Sequence, residues 1–297
     1  NLPWLDGRMG WDIAFHEEWG YGFDQPRIET IFADLKQMGF TAVRWWLFAD
    51  ARAGLRFDAE GKVTGIQPEV FAHLDITLNE LCPKYGLKLY LCLLSSLVDT
   101  DHFGIITDVA IRQSYLDHAV KPLAKRYRGN AWLFAIDLMN EPEADMRGNY
   151  GNWTPKGTDE VTIRAFLRDS ADAIHSVAPN MRVSAGSGWH TAENLQRGMY
   201  RYLGLDFYDF HTYNDTGHLP AVESLRLDAP CIIGEFNVIL PQARNEDKQA
   251  EIVDRFLREA LEKGYAGAFF GCYEESAPNK REGNQPSHSL LRADGTW

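Results

Sequence analysis

Short apolar runs alternate along this chain with longer stretches in which apolar residues recur every three or four positions. The runs predict strands buried on both faces, and the periodic stretches predict amphipathic helices. Strands that alternate with helices are typical of βα units around a parallel sheet. The predicted strands cover residues 1–4, 41–46, 88–93, 133–140, 181–185, 207–211, 231–235 and 266–271, and the main predicted helices cover residues 26–38, 68–85, 108–127, 159–177 and 248–263.

Eight strands and about eight helices favour an α/β fold in which residues 1–297 form a single (β/α)8 TIM barrel as one catalytic domain. No proline- or serine-rich linker divides the chain. An open doubly wound sheet is the alternative, but no glycine-rich phosphate loop follows the first strand. Residues 5–25 are expected to form a long loop, and residues 52–64 a hairpin that turns at Glu60 and Gly61. In a barrel, functional residues collect at the C-terminal ends of the strands.

Composition narrows the classes of partner. The 45% hydrophobic content is typical of a globular protein, and the net charge of −12 argues against nucleic acid or an anionic membrane, which both require a basic face. A neutral polysaccharide is compatible with this charge, and we expect a monomer. The nine Trp residues could stack on sugar rings, although Trp is also an ordinary core residue.

The cysteines and the start of the chain give little information about the chemistry of the protein. Cys82, Cys92, Cys231 and Cys272 show no metal-ligand spacing, so we expect buried free thiols, no metal site and no cofactor. We find no signal peptide and no transmembrane span in the sequence. The chain begins at Asn1 without Met, which suggests a fragment or a processed form, and the localisation stays open between secreted and cytoplasmic.

Two glutamates at the ends of predicted strands suggest a chemistry. The apolar run 133–139 ends in Asn140-Glu141-Pro142, and the run 231–234 ends in Glu235. Pro142 cannot continue a central strand, so Asn140 and Glu141 should lie at its C-terminal mouth. Retaining glycoside hydrolysis needs two such carboxyl groups, one as an acid and one as an ionised nucleophile.

Further polar residues fall at the same ends of other predicted strands. Arg44 lies on the second strand, and His211 and Tyr213 follow the sixth. Together with the two glutamates, these residues resemble the retaining β-glycosidases of clan A, and most closely glycoside hydrolase family 5. The resemblance covers almost the whole chain.

The resemblance implies a role for each of these residues. Glu141 would be the general acid/base and Glu235 the nucleophile. Asn140 would bind the 2-hydroxyl of the sugar, and His211 would line the −1 subsite. Arg44 and Tyr213 would contact Glu235 and keep it ionised. The run 44–48 (Arg-Trp-Trp-Leu-Phe) also looks like the strand-two segment of the β-mannanases in this family.

The sequence departs from the family pattern at two strand ends. Many members have a His after the third strand, where this chain has Ser95 and Ser96. Members usually have a Trp platform at the end of the eighth strand, where this chain has Gly271. Phe270 or Tyr273 would then substitute, or a loop Trp would fill the gap. The Trp residues beside predicted loops, which could instead pack in the core, are Trp46, Trp153 and Trp189.

The leading hypothesis is a retaining hydrolase of a β-1,4-linked plant cell-wall glycan, a glucan or a mannan. It requires carboxyl groups about 5–5.5 Å apart, because a separation of about 6.5–9.5 Å indicates inversion. The alternatives are an exo-acting β-glycosidase or β-mannosidase, a carbohydrate-binding pseudoenzyme on the same fold, and a metal-dependent barrel enzyme. The sequence does not decide among the sugars, or between endo and exo action.

Overall fold

The computed structural model describes residues 1–2, 23–96, 98–148, 157–213, 219–237, 246–274 and 289–291, with the backbone of 4–5 and 8–9. The strands in these residues are β1 (Trp4–Leu5), β2 (Arg8–Met9), β3 (Ala42–Trp46), β4 (Leu55–Phe57), β5 (Val63–Ile66), β6 (Lys88–Ser95), β7 (Leu133–Asn140), β8 (Val183–Ser187), β9 (Tyr208–Thr212), β10 (Cys231–Phe236) and β11 (Ala268–Phe270).

The helices surround these strands in chain order. They are α1 (Gln25–Gln37), α2 (Pro68–Ile76), α3 (Cys82–Tyr85), α4 (Gly104–Thr107), α5 (Val109–Tyr115), α6 (Lys121–Tyr127), α7 (Glu160–Val177), α8 (Thr191–Gln196) and α9 (Glu246–Glu262). π-Helical turns at Thr77–Leu81 and Leu116–Val120 make residues 68–85 and 109–127 continuous, as predicted. Short 3₁₀ helices lie at Pro142–Asp145 and Val222–Leu225. Among the described residues, no helix is both long and apolar enough to cross a membrane.

Helix α1 shows how local sequence sets these elements. The side chain of Asp24 accepts a hydrogen bond from the backbone N–H of Arg27, and Pro26 occupies the first turn. An Asp cap and an early Pro are both typical of a helix N-terminus. The face that α1 buries against the sheet consists of Ile28, Ile31, Phe32 and Leu35. The predicted helix at 26–38 is therefore confirmed.

Parallel pairing arranges the strands as a nearly closed barrel. Within the described residues, seven strands form one sheet in the order β11-β10-β9-β8-β7-β6-β3. Leu2 pairs in parallel with Trp45 of β3. The side-chain amide of Asn1 donates to the carbonyl of Phe270 in β11 at 2.8 Å. Residues 1 and 2 thus bridge the two edge strands, and the fold is the predicted (β/α)8 type.

Two strand predictions can be compared with the pairing. The predicted first strand at residues 1–4 is wrong in extent: among the described residues of this segment, Leu2 makes the β-bridge to the barrel, whereas Trp4–Leu5 pairs antiparallel with Arg8–Met9. The predicted hairpin is confirmed, since β4 and β5 pair antiparallel around a turn at residues 58–62. The 5–25 loop prediction falls largely on residues outside the described ranges.

The barrel interior is divided along its axis. Its lower part is an aromatic plug in which the ring of Tyr90 contacts Phe134, Phe207 and Phe269 with ring centroids 5.6–5.9 Å apart. Above the plug, the interior contains buried charges, beginning with Arg44 and Asp137. Tyr90 joins the two parts, because its hydroxyl donates to Asp209 at 2.7 Å. The aromatic layer therefore lies directly beneath the charged layer.

Candidate active site

The C-terminal ends of four parallel strands bring the predicted site residues together. Arg44 comes from β3, Asn140 ends β7, His211 lies in β9 and Glu235 in β10. Glu141 follows β7 directly. Because all strands of this sheet run in the same direction, their C-terminal ends open into one mouth. The side chains of these residues are connected there by hydrogen bonds and ion pairs.

Glu235 is held as a buried carboxylate. Nη1 of Arg44 donates to its Oε1 at 2.6 Å, and the Tyr213 hydroxyl donates to its Oε2 at 2.5 Å. Burial alone would raise the pKa of Glu235, but the charges of His211 and Arg44 and the two hydrogen bonds lower it below its ordinary value. Glu235 is therefore prepared to act in its charged form.

Arg44 is fixed from several sides. It is fully buried, and its Nη2 donates to Oδ2 of Asp137 at 2.6 Å and to Oδ1 of Asn140 at 2.8 Å. Its Nη1 also donates to Oδ1 of Asn1 at 2.9 Å. A guanidinium presents five N–H donors in a fixed plane, so it can join these groups at once. The position of Arg44 thus sets the position of Glu235.

Glu141 occupies an unusual backbone conformation. Its φ of 49° and ψ of 53° place it in the left-handed region, which is rare for a residue with a side chain. Its N–H donates to the carbonyl of Gly186 in β8 at 2.7 Å, and Oε1 lies 3.0 Å from Nδ1 of His211. Strained residues of this kind cluster at functional sites. The turn directs the carboxyl group toward His211 and Glu235.

His211 lies among three carboxyl groups. Besides Glu141, its Nδ1 lies 3.8 Å from Oε2 of Glu235, and its Nε2 lies 3.6 Å from Oδ1 of Asp209. Burial alone would lower the pKa of His211, but the charges of Glu235 and Asp209 and the hydrogen bond to Glu141 raise it to about 9. These carboxyl groups therefore favour the protonated form of His211, which places positive charge between the two glutamates.

The carboxyl groups of Glu141 and Glu235 are close. One oxygen of each, with a ring nitrogen of His211, lie within 4.8 Å of one another. This fits the separation of about 5–5.5 Å in retaining enzymes better than about 6.5–9.5 Å in inverting ones. The three groups could also surround an ion. A ligating imidazole must be neutral, however, and Glu235 already accepts from Arg44 and Tyr213, so this donor set suits a proton-transfer site better.

Asn140 is oriented by its neighbours. Its Oδ1 accepts from Arg44, which leaves its Nδ2 as the donating end, and Nδ2 donates to Oγ of Ser95 at 3.3 Å. Ser95 ends β6 and belongs to the pair Ser95-Ser96 that this chain has where the family resemblance implies a His. The serine thus takes part in the site by fixing the amide of Asn140.

The predicted Trp residues have different surroundings. Trp189 is half-buried and lines a cavity of about 660 Å³ beside Glu141, His211 and Tyr213. Trp46 is 7% exposed and packs with Ala49 and Cys92, so most of its surface serves packing. Trp153 lies outside the described residues. Of the two described residues, Trp189 is therefore the one that lines the cavity beside the site.

The prediction that Tyr273 binds substrate is wrong. Tyr273 is buried, and its hydroxyl donates to Asp34 of α1 at 2.6 Å. Its ring consequently belongs to the layer between barrel and helix. Phe270 also fails as a platform, because it packs edge-on against Phe236 with ring centroids 5.4 Å apart.

Position 271 has no room for a side chain. A Cβ on Gly271 would lie 2.8 Å from Nδ2 of Asn237 and 3.0 Å from the carbonyl oxygen of Phe236. The side chain of Asn237 therefore takes the space that a larger residue at 271 would need.

Sequence reasoning missed two buried carboxyl groups below the site. Asp137 pairs with Arg44, and Asp209 accepts from Tyr90 and lies beside His211. Burial raises the pKa of Asp209 above its ordinary value. A signal was present, since both are single charges within apolar strands, and Asp209 is two positions before His211. A third missed carboxyl group, Glu143, is considered below.

Comparison with known proteins agrees with this geometry. The profile of the family described as Cellulase (glycosyl hydrolase family 5) matches residues 12–286. A mannan endo-1,4-β-mannosidase from Mytilus edulis is 26% identical over 290 residues, covering 84% of this chain and 77% of the relative.

Solved structures give the same result. The β-mannanase from the blue mussel Mytilus edulis is 26% identical with a TM-score of 0.68, covering 82% of this chain and 78% of that one. The β-1,4-mannanase from the sea hare Aplysia kurodai is 25% identical with a TM-score of 0.68, covering 82% and 80%. The family match extends over nearly the whole barrel, and this chain therefore belongs to glycosyl hydrolase family 5 and is a glycoside hydrolase.

Proposed function

We propose that this protein is a retaining, endo-acting hydrolase of β-1,4-mannan, with Glu141 as acid/base and Glu235 as nucleophile. The observation that carries these roles is the contrast between the two carboxyl groups. Glu235 receives hydrogen bonds from Arg44 and Tyr213 and has a lowered pKa, whereas Glu141 borders the cavity of about 660 Å³. The mannan substrate and the endo action are supported by the relatives, which are mannan endo-1,4-β-mannosidases.

The first step forms a covalent intermediate. A carboxylate oxygen of Glu235 attacks the anomeric carbon, and the bond from that carbon to the glycosidic oxygen breaks. Glu141 gives its proton to the departing oxygen, and Glu235 becomes a glycosyl ester. The leaving group therefore departs as a neutral hydroxyl group, and its oxygen keeps the electron pair of the broken bond.

The second step reverses these roles. Glu141, now a carboxylate, takes a proton from water while the water oxygen attacks the anomeric carbon. The ester bond breaks, and Glu235 leaves as a carboxylate that Arg44 and Tyr213 stabilise. Two inversions at one carbon return the β configuration, and Glu141 regains its proton for the next cycle.

The neighbouring residues support the transition states. The cationic His211 is positioned to balance the charge of the two carboxyl groups. Asn140, whose Nδ2 is oriented by Arg44 and Ser95, would donate to the sugar 2-hydroxyl. Trp189 borders the cavity next to Glu141, and we propose that it stacks on a sugar of the leaving group. The roles of Trp46 and Trp153 in binding stay predictions.

Product analysis on a panel of glycans tests this proposal. We expect the protein to lower the viscosity of β-1,4-mannan rapidly, to release oligosaccharides, and to act weakly on β-1,4-glucan and xylan. Proton NMR should show the β-anomer of the new reducing end first. Release of single mannose units would indicate exo action, and an α-anomer first would indicate inversion. Binding without hydrolysis would indicate a pseudoenzyme.

A further inference from the structure

Glu143 is a buried carboxyl group that the proposed chemistry does not use. It lies two residues beyond Glu141, in the 3₁₀ helix Pro142–Asp145, and is 0% exposed. The hydroxyl of Ser187 donates to its Oε1, and the N–H of Gly188 donates to its Oε2 at 3.3 Å. A buried carboxyl group is costly unless such partners compensate it. Glu143 thus joins the turn after β7 to the end of β8.

The segment that Glu143 holds lies against Glu141. A Cβ on Gly188 would overlap the carboxyl carbon and Oε1 of Glu141, so only a glycine allows the backbone to come this close. Gly188 therefore forms a wall beside the carboxyl group of Glu141. Among the described residues, His211 is the side-chain hydrogen-bond partner of the Glu141 carboxyl group, so this group is held between His211 and the wall. Moving the wall would therefore let the carboxyl group change its position.

We propose that Glu143 is a positioning residue that clamps Ser187 and Gly188 against the turn after β7 and thereby fixes the carboxyl group of Glu141 for proton transfer. This inference rests on the proposed function of Glu141. Glu143 itself does not touch the substrate in this scheme. Its effect is geometric, and a misplacement of about 1 Å at a reacting group can reduce a rate about 10²-fold.

Substitutions at Glu143 can separate the effect of its hydrogen bonds from the effect of its charge. Burial raises the pKa of Glu143 to about 7, although the hydrogen bonds from Ser187 and Gly188 oppose this shift. Glutamine has the shape of the neutral acid, and its carbonyl can still accept from Ser187. Glu143→Gln should therefore keep much of the clamp, whereas Glu143→Ala removes it.

Two substrates distinguish a displaced acid from a damaged fold. Cleavage of mannohexaose requires protonation of a sugar hydroxyl, whereas a 2,4-dinitrophenyl β-mannobioside has a leaving group that needs no proton. In the full chain, we expect Glu143→Ala to lower kcat/KM about 10²-fold on mannohexaose and less than about threefold on the aryl substrate. Glu143→Gln and Ser187→Ala should show the same preference with smaller losses.

The control is Ser184→Ala, on the same strand. Ser184 is equally buried, but its hydroxyl donates to the carbonyl of Phe207 at 2.7 Å, away from Glu141. Any loss in this variant should be equal for both substrates. Equal losses in the Glu143 variants would overturn the inference, and Glu143→Gln and Ser187→Ala keep the test available if Glu143→Ala does not fold.

Failure of this inference can be distinguished from failure of the proposed function. If Glu141→Ala itself loses both activities equally, then the acid/base role of Glu141 is wrong. If Glu141→Ala loses only the activity on mannohexaose while the Glu143 variants lose both or neither, then only the clamp is wrong.

Discussion

The surroundings of the two site glutamates differ in almost every respect. The side chain of Glu235 is 9% exposed and receives one hydrogen bond on each oxygen. The side chain of Glu141 is 19% exposed and lies in a strained turn beside a cavity. The first environment favours a fixed charge, and the second opens the carboxyl group to the cavity. Two residues of the same type are thus given different chemistry by their neighbours.

The largest test of this contrast is removal of each carboxyl group. Glu141→Ala should lower kcat/KM on mannan by about 10²–10⁴-fold but still give a burst with an activated aryl glycoside, after which turnover stalls. Azide needs no base, so it should restore turnover and yield a β-glycosyl azide. Glu235→Ala should show no burst and should yield the α-glycosyl azide. Exchanged behaviour would exchange the two roles, and product NMR decides between them.

A smaller change is removal of the cation beside Glu235. Arg44→Ala should raise the pKa of Glu235, because a charge that favours the carboxylate is lost. Activity requires ionised Glu235, so the acidic limb of kcat/KM against pH should move upward by about 1–3 units. Arg44→Lys keeps a charge and should move it less. An unchanged limb in folded Arg44→Ala would contradict the contribution of Arg44.

The charge on His211 can be tested without removing its ring. Asp209→Asn deletes a carboxylate that raises the pKa of His211 but keeps an oxygen that can accept from Tyr90. The pKa of His211, about 9 in this structure, should fall by about one unit. NMR titration of the His211 ring measures this pKa. An unchanged midpoint would show that Glu141 and Glu235 are sufficient to keep the His211 ring protonated.

The smallest expected effect compares two tyrosines that the sequence placed at the site. Tyr213→Phe removes a donor to Glu235 and should lower kcat/KM roughly tenfold, as expected for a hydrogen bond to a charged group. Tyr273→Phe removes a donor to Asp34 of α1 and should leave kcat/KM unchanged while lowering the free energy of unfolding by about 1 kcal/mol. Activity and urea unfolding of both variants test this difference.

The sequence was sufficient for features that depend on local pattern. Apolar runs and helical periodicity predicted the order of the strands and helices, and Pro142 predicted where β7 ends. The parallel sheet then required Glu141 and Glu235 to meet at one mouth. Arg44, Asn140, His211 and Tyr213 were found for a similar reason, since each is a polar residue near or just after the C-terminal end of a strand.

Only the tertiary structure decided which side chains face the barrel interior near the strand ends. The pairing of β9 with β10 shifts register between Ile233 and Glu235, and the pairing of β7 with β8 shifts between Asp137 and Asn140. A one-residue shift reverses the face of every following side chain, so strict alternation cannot be counted through it. Position in sequence also could not show that Tyr273 packs on α1 or that Glu143 reaches β8. Those contacts depend on where separate strands and helices come to lie.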